Sequence, residues 1–142
     1  MANPTWTAAD GVTITTLITA APRERIGGQA PRVYMESLPG VSGEFAQGHG
    51  YSGRDLIATG MLQSATQATA ALASAQLKTY IRARQALATG TEVGTFTGED
   101  AHAYTNCVFL GYDPGPIMVN RRGSAYFAYA NVAARIRQLV PT

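Results

Sequence analysis

The chain has 142 residues, of which 46% are hydrophobic and 14% are charged, and its formal net charge is +2. This hydrophobic content excludes a disordered chain, and the length is sufficient for one domain with a real core. The net charge is too small to predict a nucleic-acid-binding protein by itself, and no apolar run reaches the length of a membrane span. Because charged residues are scarce for a free surface, we expect a partner to cover part of it.

The first 40 residues predict two strands that follow an extended segment. Residues 1–10 form an N-terminal arm in this interpretation, with Trp6 as its one strong anchor. Residues 12–18 alternate Val and Ile with Thr, which predicts a first strand. Residues 20–31 contain two prolines and two glycines, a composition typical of a loop. Residues 32–38 predict a second strand, which a Pro-Gly turn ends.

The next segment predicts two strands and then the one convincing helix of the chain. Residues 41–62 are rich in glycine but still strand-like, and the two strands meet near residues 50–53. The helix is predicted at residues 64–88, with Ser64 as N-cap and Gly90 as the left-handed stop. One apolar stripe with a cationic end repeats at helical spacing along it: Ala70, Ala73, Leu77, Tyr80, Ile81, Arg84 and Leu87.

The last third of the chain again predicts strands. A short strand at residues 91–97 leads through a turn to a strand at residues 104–112, and residues 117–119 form a brief one. Residues 125–140 predict a long strand with two different faces. Its even positions are apolar from Tyr126 to Ile136 and should face the core, whereas its odd positions point outward and comprise Phe127, Tyr129, Asn131, Arg135 and Arg137.

The strand–helix–strand order predicts a β-rich α+β fold, an antiparallel split β-barrel or sandwich with one flanking helix. We expect one domain over residues 11–142, preceded by the arm.

Three patterns raise the question of catalysis, and none of them is complete. Residues 48–53 match a dinucleotide fingerprint as a string, but strand-like sequence follows where a helix should begin. The sequence around Ser52 differs from the nucleophile-elbow motif in having Arg54 where the motif has its last glycine. No spacing places His49 or His102 beside Ser52. Cys107 is most simply a small buried residue in a protein made in a reducing compartment. We therefore predict no enzyme, no cofactor and no metal, and a hydrolase using Ser52 stays the least favoured hypothesis.

The basic residues are densest at Arg121 and Arg122, together with Arg135 and Arg137. No aromatic-interleaved RNA signature accompanies them, so the favoured interpretation is charge on an edge strand and salt bridges between subunits. Because Phe127 and Tyr129 share the outward face with two of these arginines, we expect part of that face to contact a neighbouring subunit. Arg135 and Arg137 would then meet acids of the neighbour such as Asp55, Glu92 or Glu99.

One layout resembles a known family. Gly50-Tyr51-Ser52-Gly53-Arg54 and Ile57–Leu62 lead into the alanine-rich helix, and Tyr104–Leu110 follows a short strand and a turn. Over roughly residues 41–140 this arrangement resembles the distal-tail and tail-tube-like proteins of tailed bacteriophages and related contractile injection systems. The resemblance implies a split β-barrel that assembles into rings around the tail channel. It also implies a long hairpin that stacks on the next ring, within residues 41–62 or 32–41.

The resemblance predicts a structural virion protein, a baseplate, tail-tip or distal-tail adaptor that joins the tail tube to other components. Its expected partners are itself, as a ring with six subunits as the expected number, and other phage tail proteins. Synthesis would occur in the host cytoplasm, without membrane association or specific nucleic-acid binding, although DNA could pass through the lumen. The alternative is a small-ligand-binding β-barrel module that uses residues 48–53. The subunit-interface candidates are Trp6, Arg54, Phe127, Tyr129, Arg135 and Arg137.

Overall fold

The structure, a computed structural model, describes residues 3–28, 31–37, 40, 44–51 and 53–139. These residues form ten strands and one helix. The strands of the first half are β1 (Thr5–Thr7), β2 (Ile14–Thr16), β3 (Ala20–Ile26), β4 (Pro31–Ser37), β5 (Glu44–Tyr51) and β6 (Arg54–Gln63). The helix α1 (Ala70–Ala86) is followed by β7 (Val93–Thr97), β8 (Ala103–Pro114), β9 (Met118–Arg122) and β10 (Ala125–Gln138).

Eight of the strands form one antiparallel sheet in the order β2-β1-β7-β8-β10-β6-β3, with β9 paired to the first part of β10. The two end strands, β2 and β3, are consecutive in the chain. Leu17 donates its N–H to Pro4 on one side of the gap between them, and Thr19 donates to Met61 on the other. The predicted β-rich antiparallel fold with one helix is confirmed, and in the described part of the chain the sheet is not closed into a barrel.

One face of the sheet and one side of α1 enclose a single core. Its aromatic centre contains Trp6, Phe96, Tyr104, Phe109 and Tyr112. The even positions of β10 are buried from Ala128 onward, as their alternation predicts, and the helix contributes Ala73, Leu77 and Ile81 from its apolar stripe. The described chain contains no helix that is both long and apolar enough to cross a membrane.

The helix begins later than predicted, at Ala70 with Thr69 as its N-cap, whose side-chain oxygen accepts the N–H of Leu72. The predicted cap Ser64 instead extends the sheet, because its N–H donates to the carbonyl oxygen of Ala128 and its hydroxyl oxygen accepts the N–H of Ala128. Gln67 likewise forms a β-bridge with Tyr126. Tertiary pairing to β10 therefore overrides the local capping signal. Gly90 does adopt the left-handed conformation expected after the helix, with φ of 72°.

The prediction of a separate N-terminal arm is wrong. Residues Thr5–Thr7 form β1, which lies inside the sheet between β2 and β7. Trp6 is only 4% exposed, and its ring meets Phe109 edge-on with ring centroids 5.4 Å apart. Gly94 makes this possible, because a Cβ at that position would lie 2.6 Å from the indole. Thr5–Thr7 is therefore an inner strand of the sheet, and Trp6 is part of the core.

The predicted loop at residues 20–31 is also wrong in its first half, which forms the edge strand β3. Proline is tolerated there because β3 pairs only with β6, and the pairing register shifts between Ala20 and Arg23, on either side of Pro22. A residue without a backbone N–H destabilises the strand only slightly where the ladder of backbone hydrogen bonds is already interrupted. The composition that predicted a loop therefore belongs, in its first half, to an edge strand with a bulge.

Strands β4 and β5 confirm the two predicted strands at residues 32–38 and in the first half of 41–62. They pair antiparallel with each other, from Pro31 opposite Tyr51 to Ser37 opposite Glu44. They form a two-stranded sheet of their own, separate from the eight-stranded one. We call this element the long hairpin.

Strand β8 departs from the simple alternation predicted for residues 104–112. Asn106 has φ of 56°, and two residues of β8 oppose one of β7 at this point. This bulge turns Cys107 and Phe109 toward the core and leaves Asn106 exposed. A second irregularity opposite Arg135 and Ile136 leaves Leu110 44% exposed.

Candidate functional site

The residues considered for catalysis are not assembled into a reactive site where the structure describes them. Cys107 is fully buried, its Sγ lies 3.2 Å from the carbonyl oxygen of Tyr104, and burial raises the pKa of the thiol to about 11. A thiol with that pKa stays protonated near neutral pH and is a poor nucleophile. His102 is exposed and lies against the ring of Tyr104.

Metal and hydrolase chemistry gain no support from the described residues. Within them, no group of three or more His, Cys, Asp or Glu side chains could hold a metal ion. Ser52 lies outside the described residues, and His49 belongs to the long hairpin, where the backbone alone is described. The hydrolase hypothesis therefore stays an untested prediction.

Arg135 and Arg137 each form an ion pair within the chain. Arg137 Nη1 lies 2.8 Å from Asp55 Oδ1, and these two residues are directly opposite each other on β10 and β6. Arg135 Nε lies 2.9 Å from Asp113 Oδ2 on β8. That these arginines also meet acids of a neighbouring subunit, such as Asp55, Glu92 or Glu99, stays a prediction. All four side chains are at least 40% exposed, so each pair contributes about 0–1 kcal/mol.

Arg54 and Trp6 also act within the subunit. Arg54 Nε donates to Gln138 Oε1 at 2.8 Å, and its guanidinium lies over the ring of Tyr104 at 5.2 Å from the centroid. Arg54 therefore ties the start of β6 to β8 and β10. Trp6 belongs to the core, so its side chain is not available to a neighbouring subunit.

Phe127 and Tyr129 are the two interface candidates that present a ring at the surface. Both are half-buried on the outward face of β10, with ring centroids 5.9 Å apart. They belong to a hairpin of β9 and the first five residues of β10, Met118–Tyr129, which we call the basic hairpin. All five residues of β9 are exposed, including Met118 and Val119. The sequence pattern predicted that Arg121 and Arg122 lie on an edge strand. Their strand, β9, is an edge strand in the described sheet.

A shallow groove of about 490 Å³ lies on the outer face of the sheet over β3, β6 and β10. Polar side chains of Arg23 and Asn131 line it together with Thr59, Met61 and Ala133. Its volume is within the range of small-molecule sites. The described residues that line it belong to β3, β6, β8 and β10.

The sequence has no match among protein-family models, and no curated protein matches it.

Proposed function

We propose that this protein is a structural subunit of a bacteriophage tail, a baseplate, tail-tip or distal-tail adaptor that assembles into a ring. The proposal rests on the sequence resemblance described above. The β-rich antiparallel fold with one helix supports it, although the sheet is not closed into a barrel in the described chain. An antiparallel sheet encloses one core, and a single helix packs on the core-facing side.

The long hairpin is the observation that carries the proposal. Its strands of seven and eight residues pair with each other and leave the outer edge of each strand without a sheet neighbour in the described chain. An isolated two-stranded hairpin is marginally stable in water, and an open strand edge is a template for pairing with another chain. Such an element gains stability when another molecule covers it. The resemblance implies a hairpin in this region that stacks on the next ring.

The eight-stranded sheet has open edges as well. Its order ends at β2 and β3, and Val12 and Ile14, beside and on β2, are 79% and 64% exposed. A cyclic assembly covers such edges because each subunit lies against its neighbour. In this proposal the partners are other copies of the chain and further tail proteins, and the location is the virion.

The test compares the full chain with a variant in which residues 31–51 are replaced by a short Gly-Ser linker. Mass photometry over a range of concentrations should show the full chain as rings and stacks of rings, and the variant as single rings. Because β4 and β5 pair only with each other in the described structure, circular dichroism should show that the variant keeps its remaining sheet and helix.

Two results would contradict the proposal. One is a full chain that stays monomeric at every concentration, and the other is a variant that stacks as the full chain does. A monomer whose melting temperature rises with a small molecule would favour the ligand-binding alternative and the groove over β3, β6 and β10.

A further inference from the structure

The basic hairpin carries two arginines whose positions are fixed by aromatic rings. Arg121 lies over the ring of Tyr126 at 5.5 Å, and Arg122 lies over the ring of Phe127 at 4.7 Å from the centroid. Stacking on a ring uses the face of a guanidinium and leaves its in-plane N–H donors free for a carboxylate. Both residues are exposed, so these donors are accessible to another molecule.

These two arginines differ from the arginines further along β10. Arg135 and Arg137 each have a carboxylate within 3 Å, whereas the described residues supply no ion-pair partner for Arg121 or Arg122. Met118 and Val119 on the same strand are 43% and 40% exposed. The hairpin therefore combines unpaired positive charge with exposed apolar surface, the combination expected of a docking surface for an acidic partner.

The turn between β7 and β8 has the opposite charge. Glu99 and Asp100 lie in this turn, and the carboxylate of Glu24 accepts the backbone N–H of Glu99. No described cation forms an ion pair with any of the three. Burial raises the pKa of Glu24, and the charges of Glu99 and Asp100 raise it further. We call Glu99 and Asp100, together with Glu24, the acidic turn.

The basic hairpin and the acidic turn lie at opposite ends of the sheet. The basic hairpin contains the first residues of β10, whereas the last residue of β10, Gln138, is opposite Cys107, and β8 continues from there back to the acidic turn. The 14 residues of β10 span about 43 Å at about 3.3 Å per residue. The two charged surfaces therefore cannot meet within one subunit.

We infer that the basic hairpin of one subunit docks on the acidic turn of the next, with Arg121 and Arg122 paired to Glu99 and Asp100. This inference rests on the proposed function, since it assigns the contact through which copies of the chain associate. The contact joins two different surfaces and is therefore head-to-tail, the kind that closes into a ring or continues as a stack.

Reciprocal charge reversal tests the contact. The double variant R121E/R122E reverses the hairpin, and E99R/D100R reverses the turn. Each variant alone should associate at least about tenfold more weakly than the natural chain at low salt, because like charges then face each other. An equimolar mixture should recover assembly, since each reversed surface meets a complementary one on the other variant.

Two controls keep the test independent of net charge and folding. K78E/R82E carries the same charge change as R121E/R122E on exposed positions of α1 and should associate within about twofold of the natural chain. R121Q/R122Q removes the positive charge without adding repulsion and should give an intermediate loss. Circular dichroism of each variant establishes that it is folded before sedimentation velocity measures its association.

Each remaining outcome counts against a specific step. If the natural chain assembles and the reversals leave assembly unchanged, the inferred contact is wrong while the proposed function stands. If both reversals weaken assembly but their mixture does not recover it, the two surfaces do not face each other. If the natural chain never assembles, the proposed function fails together with the contact.

Discussion

Replacing Trp6 by alanine distinguishes a core residue from an anchor on a neighbouring subunit. The indole is 4% exposed and lies edge-on to Phe109. Burying an aromatic side chain removes about 150–250 Å² from water, which at about 25 cal/mol per Å² gives about 4–6 kcal/mol as an upper estimate. Truncations of this kind in protein cores cost about 3–5 kcal/mol. We expect Trp6→Ala to lower the free energy of unfolding by that amount.

Urea unfolding followed by circular dichroism measures this change. With a slope of about 2 kcal/mol per M, the midpoint should fall by about 2 M. Val12→Ala is the matched control from the same end of the chain, because Val12 is 79% exposed and its truncation should change stability by less than about 0.5 kcal/mol.

A different pattern would refute this placement of Trp6. If Trp6→Ala kept the natural midpoint but weakened association between subunits, the first residues would form an arm on a neighbour. Trp6 is the only tryptophan, so its fluorescence in the natural protein gives a second reading. Its emission maximum should lie at a shorter wavelength than that of the urea-unfolded chain, even at concentrations where the subunits are separated.

Three further substitutions test other parts of the fold. Tyr112→Phe removes a buried hydroxyl that donates to the carbonyl oxygen of Leu17 at 2.6 Å and should cost about 1–3 kcal/mol in urea unfolding; an unchanged midpoint would contradict this bond. Gly94→Ala places a Cβ 2.5 Å from a β1 carbonyl oxygen, so it should lower the free energy of unfolding by about 1–3 kcal/mol. Gly28→Ala serves as its control, because a Cβ at Gly28 has no atom within 4 Å. Glu24→Gln should flatten the dependence of melting temperature on pH. Burial raises the pKa of Glu24 above its ordinary value of 4.5, so the folded state favours the protonated carboxyl, and stability is gained as pH falls through the raised pKa. A variant with the natural pH profile in this range would show that Glu24 contributes nothing to it.

Periodic patterns in the sequence predicted the elements that tertiary structure leaves undisturbed. The even positions of β10 face the core, and the stripe of α1 buries Ala73, Leu77 and Ile81, because each pattern repeats over several turns or pleats. Predictions made from neighbouring residues alone were wrong where pairing with a distant part of the chain decides the structure. Ser64 has a capping sequence but bonds to Ala128, which is 64 residues away in the chain. The proline of β3 is accommodated by a bulge that no composition rule distinguishes from a loop.

The outward face of β10 shows why the candidate site was harder to predict. The sequence identified Arg135 and Arg137 as exposed, but their partners depend on strand register. Arg137 meets Asp55 because β6 runs beside β10 with these residues opposite each other, although 82 positions separate them in the chain. Unlike Arg135 and Arg137, Arg121 and Arg122 have no carboxylate partner among the described residues. The register between the strands is needed to tell the paired arginines from the unpaired ones, and the sequence pattern does not contain it.

The most direct test of the central claim is electron microscopy of the purified, concentrated protein. The proposed function predicts closed rings with a central channel and one fixed number of subunits, visible in end-on class averages. Side views should show rings stacked through the long hairpin. A preparation that contains only single subunits, or irregular aggregates without a channel, would contradict the assignment of this protein as a ring-forming tail component.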